Sequence, residues 1–167
     1  MKNLQVRIVT DIVTEPVSVA EAKTFCRAPS GTQDDALFAI LIPAARQALE
    51  KYTSSSFAEK TIHVTWVTSP RDNVLEIPYG PTISIDKVYQ IDEEGTETEL
   101  TLNSDYFVFG DQDAILKVVS YWSSGIVSTR SVRVEYKAGY GNAATETLPA
   151  PLKLAVLKQV ATNYELR

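Results

Sequence analysis

"VRVEYKAGYGNAATETLPAPLKLAVLKQVA", residues 132–161, changes its period halfway along. Val132, Val134 and Tyr136 alternate with Arg133, Glu135 and Lys137, the pattern of a strand with one buried face. Farther on, Leu152, Ala155, Val156, Val160 and Tyr164 recur at spacings of three and four, with Leu157 and Ala161 beside them, the stripe of an amphipathic helix. Between the two stand Gly139, Tyr140 and Gly141, a polar spacer, and then Pro149 and Pro151; a proline near the first helical turn costs nothing, because its missing N–H has no partner there anyway. A glycine pair ahead of a helix raises the question of a phosphate cradle. A Walker loop needs a lysine and a hydroxyl after its second glycine, and a dinucleotide turn needs a third glycine. "AGYGNAATE" has neither, and the helix begins only after the prolines. Gly139 and Gly141 therefore read as the place where the chain turns off a sheet, with Tyr140 anchoring the turn.

Upstream, the same two periods divide the chain. "TEPVSVAEAKTFCRA", residues 14–28, places Ser18 three residues before Glu21, the spacing of a capping box, so a helix begins there. Val19, Ala22 and Cys26 share one side, which makes Cys26 a small packed hydrophobe. "APSGT" ends this helix, and "TQDDALFAILIPAARQALEKYTSSS", residues 32–56, starts another, with Thr32 and Asp35 as its cap. Leu37, Ile40, Leu41, Ala44, Ala45, Ala48, Leu49 and Tyr52 trace an apolar stripe that Phe38 and Ile42 widen, so this helix is expected to bury against more than one neighbour. Pro43 removes one backbone bond inside it and predicts a kink near Ala39. From Lys60 onward the period is two: Ile62, Val64 and Trp66 alternate with His63, Thr65 and Val67, and further runs follow at "VLEIP", "ISIDKVYQI", "ETELTL", "YFVFG", "AILKVV" and "SVRVEYKAG". "PYGP", "DEEG", "NSD", "GDQD" and "SSG" separate them with turn chemistry, which predicts an antiparallel sheet with short connections.

The fold class is thus α+β. An N-terminal helix pair and a C-terminal helix pack together, with an antiparallel β-rich insert between them, since neither a helix pair nor one amphipathic helix buries itself alone. Residues 1–167 read as a single domain: a helical part at 16–56, the insert at 60–141, and a helix at 149–167 that returns to the helical part.

Composition narrows the function. The chain has 167 residues, 44% of them hydrophobic and 22% charged, with one cysteine and one histidine. The lone cysteine excludes an internal disulfide, and one histidine cannot build a multi-histidine metal centre. The opening "MKNLQVRIVTD" lacks the apolar core of a signal peptide and no apolar run reaches membrane-spanning length, so synthesis in a cytoplasm is expected, with no membrane. A net charge of −5 repels polyanions. Asp92, Glu93, Glu94, Glu97, Glu99, Asp105, Asp111 and Asp113 follow one another without an intervening lysine or arginine, as solvated hairpins and loops or as a face that must not stick to nucleic acid.

No catalytic constellation assembles. His63 falls on the polar side of its strand, and no Gly-x-Ser-x-Gly elbow presents a serine. "SIDK" matches a Ser-x-x-Lys spacing, but on a strand Ser84 and Lys87 are expected to face opposite ways. Asp111 and Asp113 lack the glycine and glutamate of a calcium loop. The chain reads as a non-enzyme with no cofactor, no metal and no catalytic residue. The alternatives are a stand-alone protein- or glycan-binding module, favoured by Trp66, Tyr121 or Trp122 exposed in a groove, and a hydrolase, which would need His63 beside an acid and a serine in a pocket.

"EPVSVAEAK", the acid-led helix ending in "LEKYT", and "AGYG" followed by a proline-started helix ending in "NYE" carry, in that order and spacing, a resemblance from Glu15 to Arg167. The chain resembles the head-tail connector proteins of tailed bacteriophages, also called head-completion or adaptor proteins, found too in prophages and phage-derived transfer particles. Many relatives carry a further tail after the last helix, where this sequence reads "NYELR". The resemblance implies a structural protein of the virion head-tail junction: a homo-oligomeric ring of about twelve copies under the portal protein, extending the DNA channel and offering a platform to the next tail or stopper protein. DNA would pass through without specific binding. The expected contact surfaces are the outer side of the second helix around Arg46, Glu50 and Lys51, and the last helix around Lys153, Lys158 and Tyr164.

Overall fold

A computed structural model describes residues 4–12, 14–67, 74–110, 115–118, 131–141 and 148–166. The elements, in chain order, are β1 (Leu4–Thr10), α1 (Val19–Phe25), α2 (Asp35–Thr53), β2 (Lys60–Trp66), β3 (Val74–Glu76), β4 (Thr82–Ile91), β5 (Glu97–Glu99), β6 (Tyr106–Phe109), β7 (Ile115–Val118), β8 (Ser131–Ala138) and α3 (Ala150–Glu165). The class is α+β, with helices near both ends of a β-rich middle. Backbone contacts divide the chain into two compact units. One comprises residues 12–59 and 140–167, the other residues 1–11 and 60–139.

The β unit holds a five-stranded sheet in the order β1-β2-β8-β4-β5 and a three-stranded sheet in the order β3-β7-β6, with every neighbouring pair antiparallel. β8 is central because its alternation is unbroken: Val132, Val134, Tyr136 and Ala138 are buried while the residues between them are half-buried. Val134 lies opposite Val64 on one side and Val88 on the other. Leu75, Leu116 and Val118 of the smaller sheet join the same core. Each such fully buried aliphatic side chain contributes about 1.5–3 kcal/mol relative to exposure. Tyr136 donates its hydroxyl hydrogen bond to the Pro78 carbonyl, and burial raises its pKa well above the ordinary tyrosine value.

β1 corrects the sequence analysis, which placed its first element at Pro16. Leu4, Val6 and Ile8 do alternate with Gln5 and Arg7 and pair with Trp66, Val64 and Ile62. Val9 and a register shift between Ile8 and Thr10 end the pattern after five residues, which left it short of a readable strand.

In the helical unit α1, α2 and α3 pack on one another. The α1 capping box forms as expected: Ser18 Oγ accepts from the Glu21 N–H at 3.2 Å, and Glu21 Oε2 accepts from the Ser18 N–H at 2.9 Å. The α2 cap differs from expectation. Asp34 occupies the N-cap position without capping through its side chain, because its Oδ2 accepts from the Tyr164 hydroxyl at 2.8 Å. Asp35 lies in the first turn and takes the Lys23 ammonium at 2.6 Å. α2 runs on through Pro43 to Thr53. Its buried side is Phe38, Ile42 and Ala45 together with Arg46 and Glu50, so the wide apolar stripe is covered on one flank only; Ile40 is 67% exposed and Tyr52 88%. Val156 and Val160 of α3 meet Phe38 and Ile42, and the Tyr164 ring stacks on Phe38 with centroids 4.8 Å apart. At the glycine turn, Gly139 and Gly141 adopt φ values of 127° and 108°, which favour glycine, and Tyr140 between them packs against the helical core.

Candidate interface surfaces

The six residues expected to form contacts fall into distinct settings. Arg46 is 1% exposed and Glu50 5%, which overturns their placement on an outer, solvated side of α2. Arg46 Nε donates to Glu15 Oε2 at 2.9 Å, and its Nη1 donates to Glu50 Oε2 at 2.7 Å. The second oxygen of Glu50 accepts from the Phe57 N–H at 2.8 Å. The cause is the segment ahead of α1, which carries Glu15 over this side of α2. A guanidinium so buried needs fixed carboxylates, and it finds them within its own fold. Lys51, one residue on, is exposed.

On α3, Lys153 bridges to Glu21 of α1 at 2.6 Å, and this bond is the main reason the Glu21 carboxyl is held down at about 2. Lys158 is exposed and Leu154 beside it is 43% exposed. Tyr164, half-buried, serves the internal tie to Asp34 and Phe38. Solvent-facing Lys51 and Lys158 are thus separated in role from Lys153 and Tyr164, which tie α3 to α1 and α2, and from Arg46 and Glu50, which tie α2 to the segments before α1 and after α2. Cys26 ends α1 half-buried against the helical core, and burial pushes its thiol up from the ordinary value.

The candidate chemistry of the β unit is accounted for by its polar face. His63 Nε2 lies 3.7 Å from Glu135 Oε1, directly across the strand pair, and Arg133 reaches the same carboxylate at 3.4 Å. Arg133 also holds both oxygens of Glu97 and stacks its guanidinium over Tyr89 at 4.7 Å. Ser84 and Lys87 sit opposite Lys137 and Glu135, two residues of one face, because a register shift between Ile85 and Lys87 restores the phase; the expectation that they face opposite ways fails there. The Ser84 hydroxyl donates to Asp86 at 2.8 Å, and the Lys87 ammonium lies 3.5 Å from Glu99. Trp66 packs half-buried against the β core. Tyr121, Trp122, Asp111 and Asp113 lie outside the described residues. Among the described residues no cluster of three or more His, Cys, Asp or Glu is arranged to hold a metal, and no helix is long and apolar enough to cross a membrane.

The two opposite edges of the five-stranded sheet are surfaces that the sequence reading does not include. β1 and β5 each pair on one side only among the described residues. The alternation of Leu4, Val6 and Ile8 was the signal for the first of them.

No family model matches the sequence, and no curated protein matches it. Solved structures do. A chain of the neck of an empty gene transfer agent (GTA) particle, computed with C6 symmetry, superposes with a TM-score of 0.81 at 22% identity, over 98% of this chain and 85% of that one. A chain of the native GTA virion gives 0.76 at 23% identity over 98% and 85%. One from the neck of the native GTA particle, computed with C12 symmetry, gives 0.76 at 23% over 98% and 84%. The likeness is one of fold, and it runs through both units.

Proposed function

We propose that this chain is a structural head-tail connector of a phage-like particle, acting as one domain and catalysing no reaction. Copies close into a ring, about twelve by family resemblance and by the C12 symmetry of a similar neck. The ring sits beneath a portal, lengthens the DNA channel and offers a platform to the next tail component. The observation that carries this reading is the fold match with a TM-score of 0.81 over 98% of the chain to a component of a particle neck. Charge supports it: a net −5 leaves DNA free to slide, where a binder would present a basic patch. The Ser84 hydroxyl donates to Asp86 rather than to an imidazole, which supports a non-enzymatic role. On this reading the protein is made in the host cytoplasm and resides at the head-tail junction of the virion, with Lys51 and Lys158 on contact surfaces.

Electron microscopy of the chain mixed with its own portal, and of particles that carry it, tests the reading. A ring of density under the portal that the fold fits is the expected result. Portals left bare, together with purified particles lacking the chain, would overturn it.

A further inference from the structure

The five-stranded sheet ends in two unlike edges. β5 is three residues long and carries Glu97 and Glu99, a short acidic edge that disfavours apolar or acidic strands and admits one that brings a positive charge. β1 spans seven residues with a single charge, Arg7, and every second residue turns its N–H and C=O away from β2. Among the described residues nothing pairs with that side. The apolar face is also left incomplete. Val64 and Ile62 are 0% and 1% exposed, yet Val6 and Ile8, directly opposite them on β1, are 39% and 50% exposed. The sheet core therefore continues one strand farther than its cover, and an extended strand satisfies the open backbone and sets side chains alongside the open ones.

Charge and direction identify the strand. Pairings place Arg7 opposite His63 and His63 opposite Glu135; Glu99 is opposite Tyr89 and Tyr89 opposite Arg133. Arg133 and Glu135 are two residues apart, so Arg7 and Glu99 lie on the same polar face at opposite edges. Thr98, opposite Gln90, falls on the apolar side and brings a methyl group to it. Five strands with antiparallel neighbours make β1 and β5 run in the same direction, so a second sheet set edge to edge in head-to-tail order presents β5 parallel to β1. Head-to-tail contact needs two different complementary patches on one protomer, and these edges supply them. We propose that β1 of one copy pairs with β5 of the next, continuing the five-stranded sheet from protomer to protomer, with Arg7 beside Glu99 of the next copy. The proposal rests on the ring reading above. The surface pair of Glu99 with Lys87, half-exposed on both sides, opens at little cost to admit Arg7.

Paired cysteines test it in the full chain with Cys26→Ser. Neighbouring strands lie about 4.8 Å apart, within the Cα separation a disulfide accepts. On mild oxidation of assembled rings, a chain carrying both Arg7→Cys and Glu99→Cys gives a ladder of linked oligomers, and a mixture of the two single variants gives linked pairs. Separately, Arg7→Glu weakens assembly at least about tenfold through like-charge contact, and adding Glu99→Lys to the same chain restores it. Rings that form without cross-links, and without any response to charge, overturn this contact and leave the connector reading standing. Cross-links by Arg7→Cys alone indicate β1 meeting β1 and also overturn it. Failure of the unsubstituted chain to form rings in any state overturns the connector reading, and this contact with it.

Discussion

Arg46 and Glu15, 31 residues apart in sequence, meet at 2.9 Å, and Glu50 completes the enclosure of the guanidinium from one turn farther along α2. This arrangement decides what a substitution at Arg46 measures. Removing one member of a buried ion cluster leaves the others desolvated and unpaired, at a cost of about 3–5 kcal/mol. Arg46→Ala should lower unfolding stability by that order in urea titration. Arg46→Met combined with Glu50→Gln should recover most of the loss, because the glutamine keeps an acceptor for the Phe57 N–H, the buried charge of Glu50 is gone, and the Glu15 side chain, 29% exposed, keeps its access to water. An Arg46→Ala chain as stable as the original would show the cluster to be structurally idle.

Glu21 joins the α1 cap to Lys153 of α3, and its folded-state pKa is lowered from 4.5 to about 2, first by the Lys153 bond and then by the Ser18 backbone N–H. A group depressed on folding stabilises above its unfolded value and loses that contribution as pH falls through the folded one. The window is therefore pH 4.5 to about 2. Because the side chain is 43% exposed, screening reduces the gain to about 1 kcal/mol. Unfolding free energies from urea titration of the original chain and Glu21→Gln should differ by that amount at pH 6 and converge toward pH 2. A constant difference across the range would refute the ion-pair account.

Much of this architecture is legible in the sequence, for reasons that differ by residue. Ser18 and Glu21 are three apart, and a local motif of that kind completes itself wherever a helix starts. The alternation in Ser131–Ala138 and the glycines after it likewise depend on neighbours in sequence, and they mark the strand and the turn. What escaped depends on distant chain. Nothing on α2 distinguishes the flank that Glu15 covers from the flank that leaves Ile40 and Tyr52 in solvent. Arg46 consequently looked like surface. Ser84 and Lys87 were misplaced because a bulge between Ile85 and Lys87 shifts the strand phase, and β1 escaped because its strict alternation covers only Leu4 to Ile8.

Two contacts of Tyr164 can be separated by substitution: its ring stacks on Phe38, and its hydroxyl donates to Asp34 at 2.8 Å. Tyr164→Phe should keep the stack and cost about 1 kcal/mol for the lost bond. Tyr164→Ala should cost more, about 2–3 kcal/mol, through the packing also lost against Phe38, with the half-buried site open to water on one side. Urea titration of both variants separates the terms. Equal losses would mean that the hydroxyl alone matters, and no loss in either would mean that the end of α3 is held by other contacts.

Lys51 and Lys158 are the two expected contact residues that face solvent, one on α2 and one on α3, so charge reversal there tests assembly without disturbing the core. Surface substitutions away from buried features change stability by less than about 0.5 kcal/mol. Lys51→Glu with Lys158→Glu should therefore melt at the temperature of the original chain. If these lysines face a ring neighbour or the portal, the double variant should occupy the portal at a concentration roughly tenfold higher than the original needs, and the difference should shrink as salt is raised, because rim charges act mainly through long-range attraction. Occupancy counted from micrographs across a concentration series reads both effects. Identical occupancy curves at low salt would remove Lys51 and Lys158 from the contact surface and leave the strand edges as its remaining candidates.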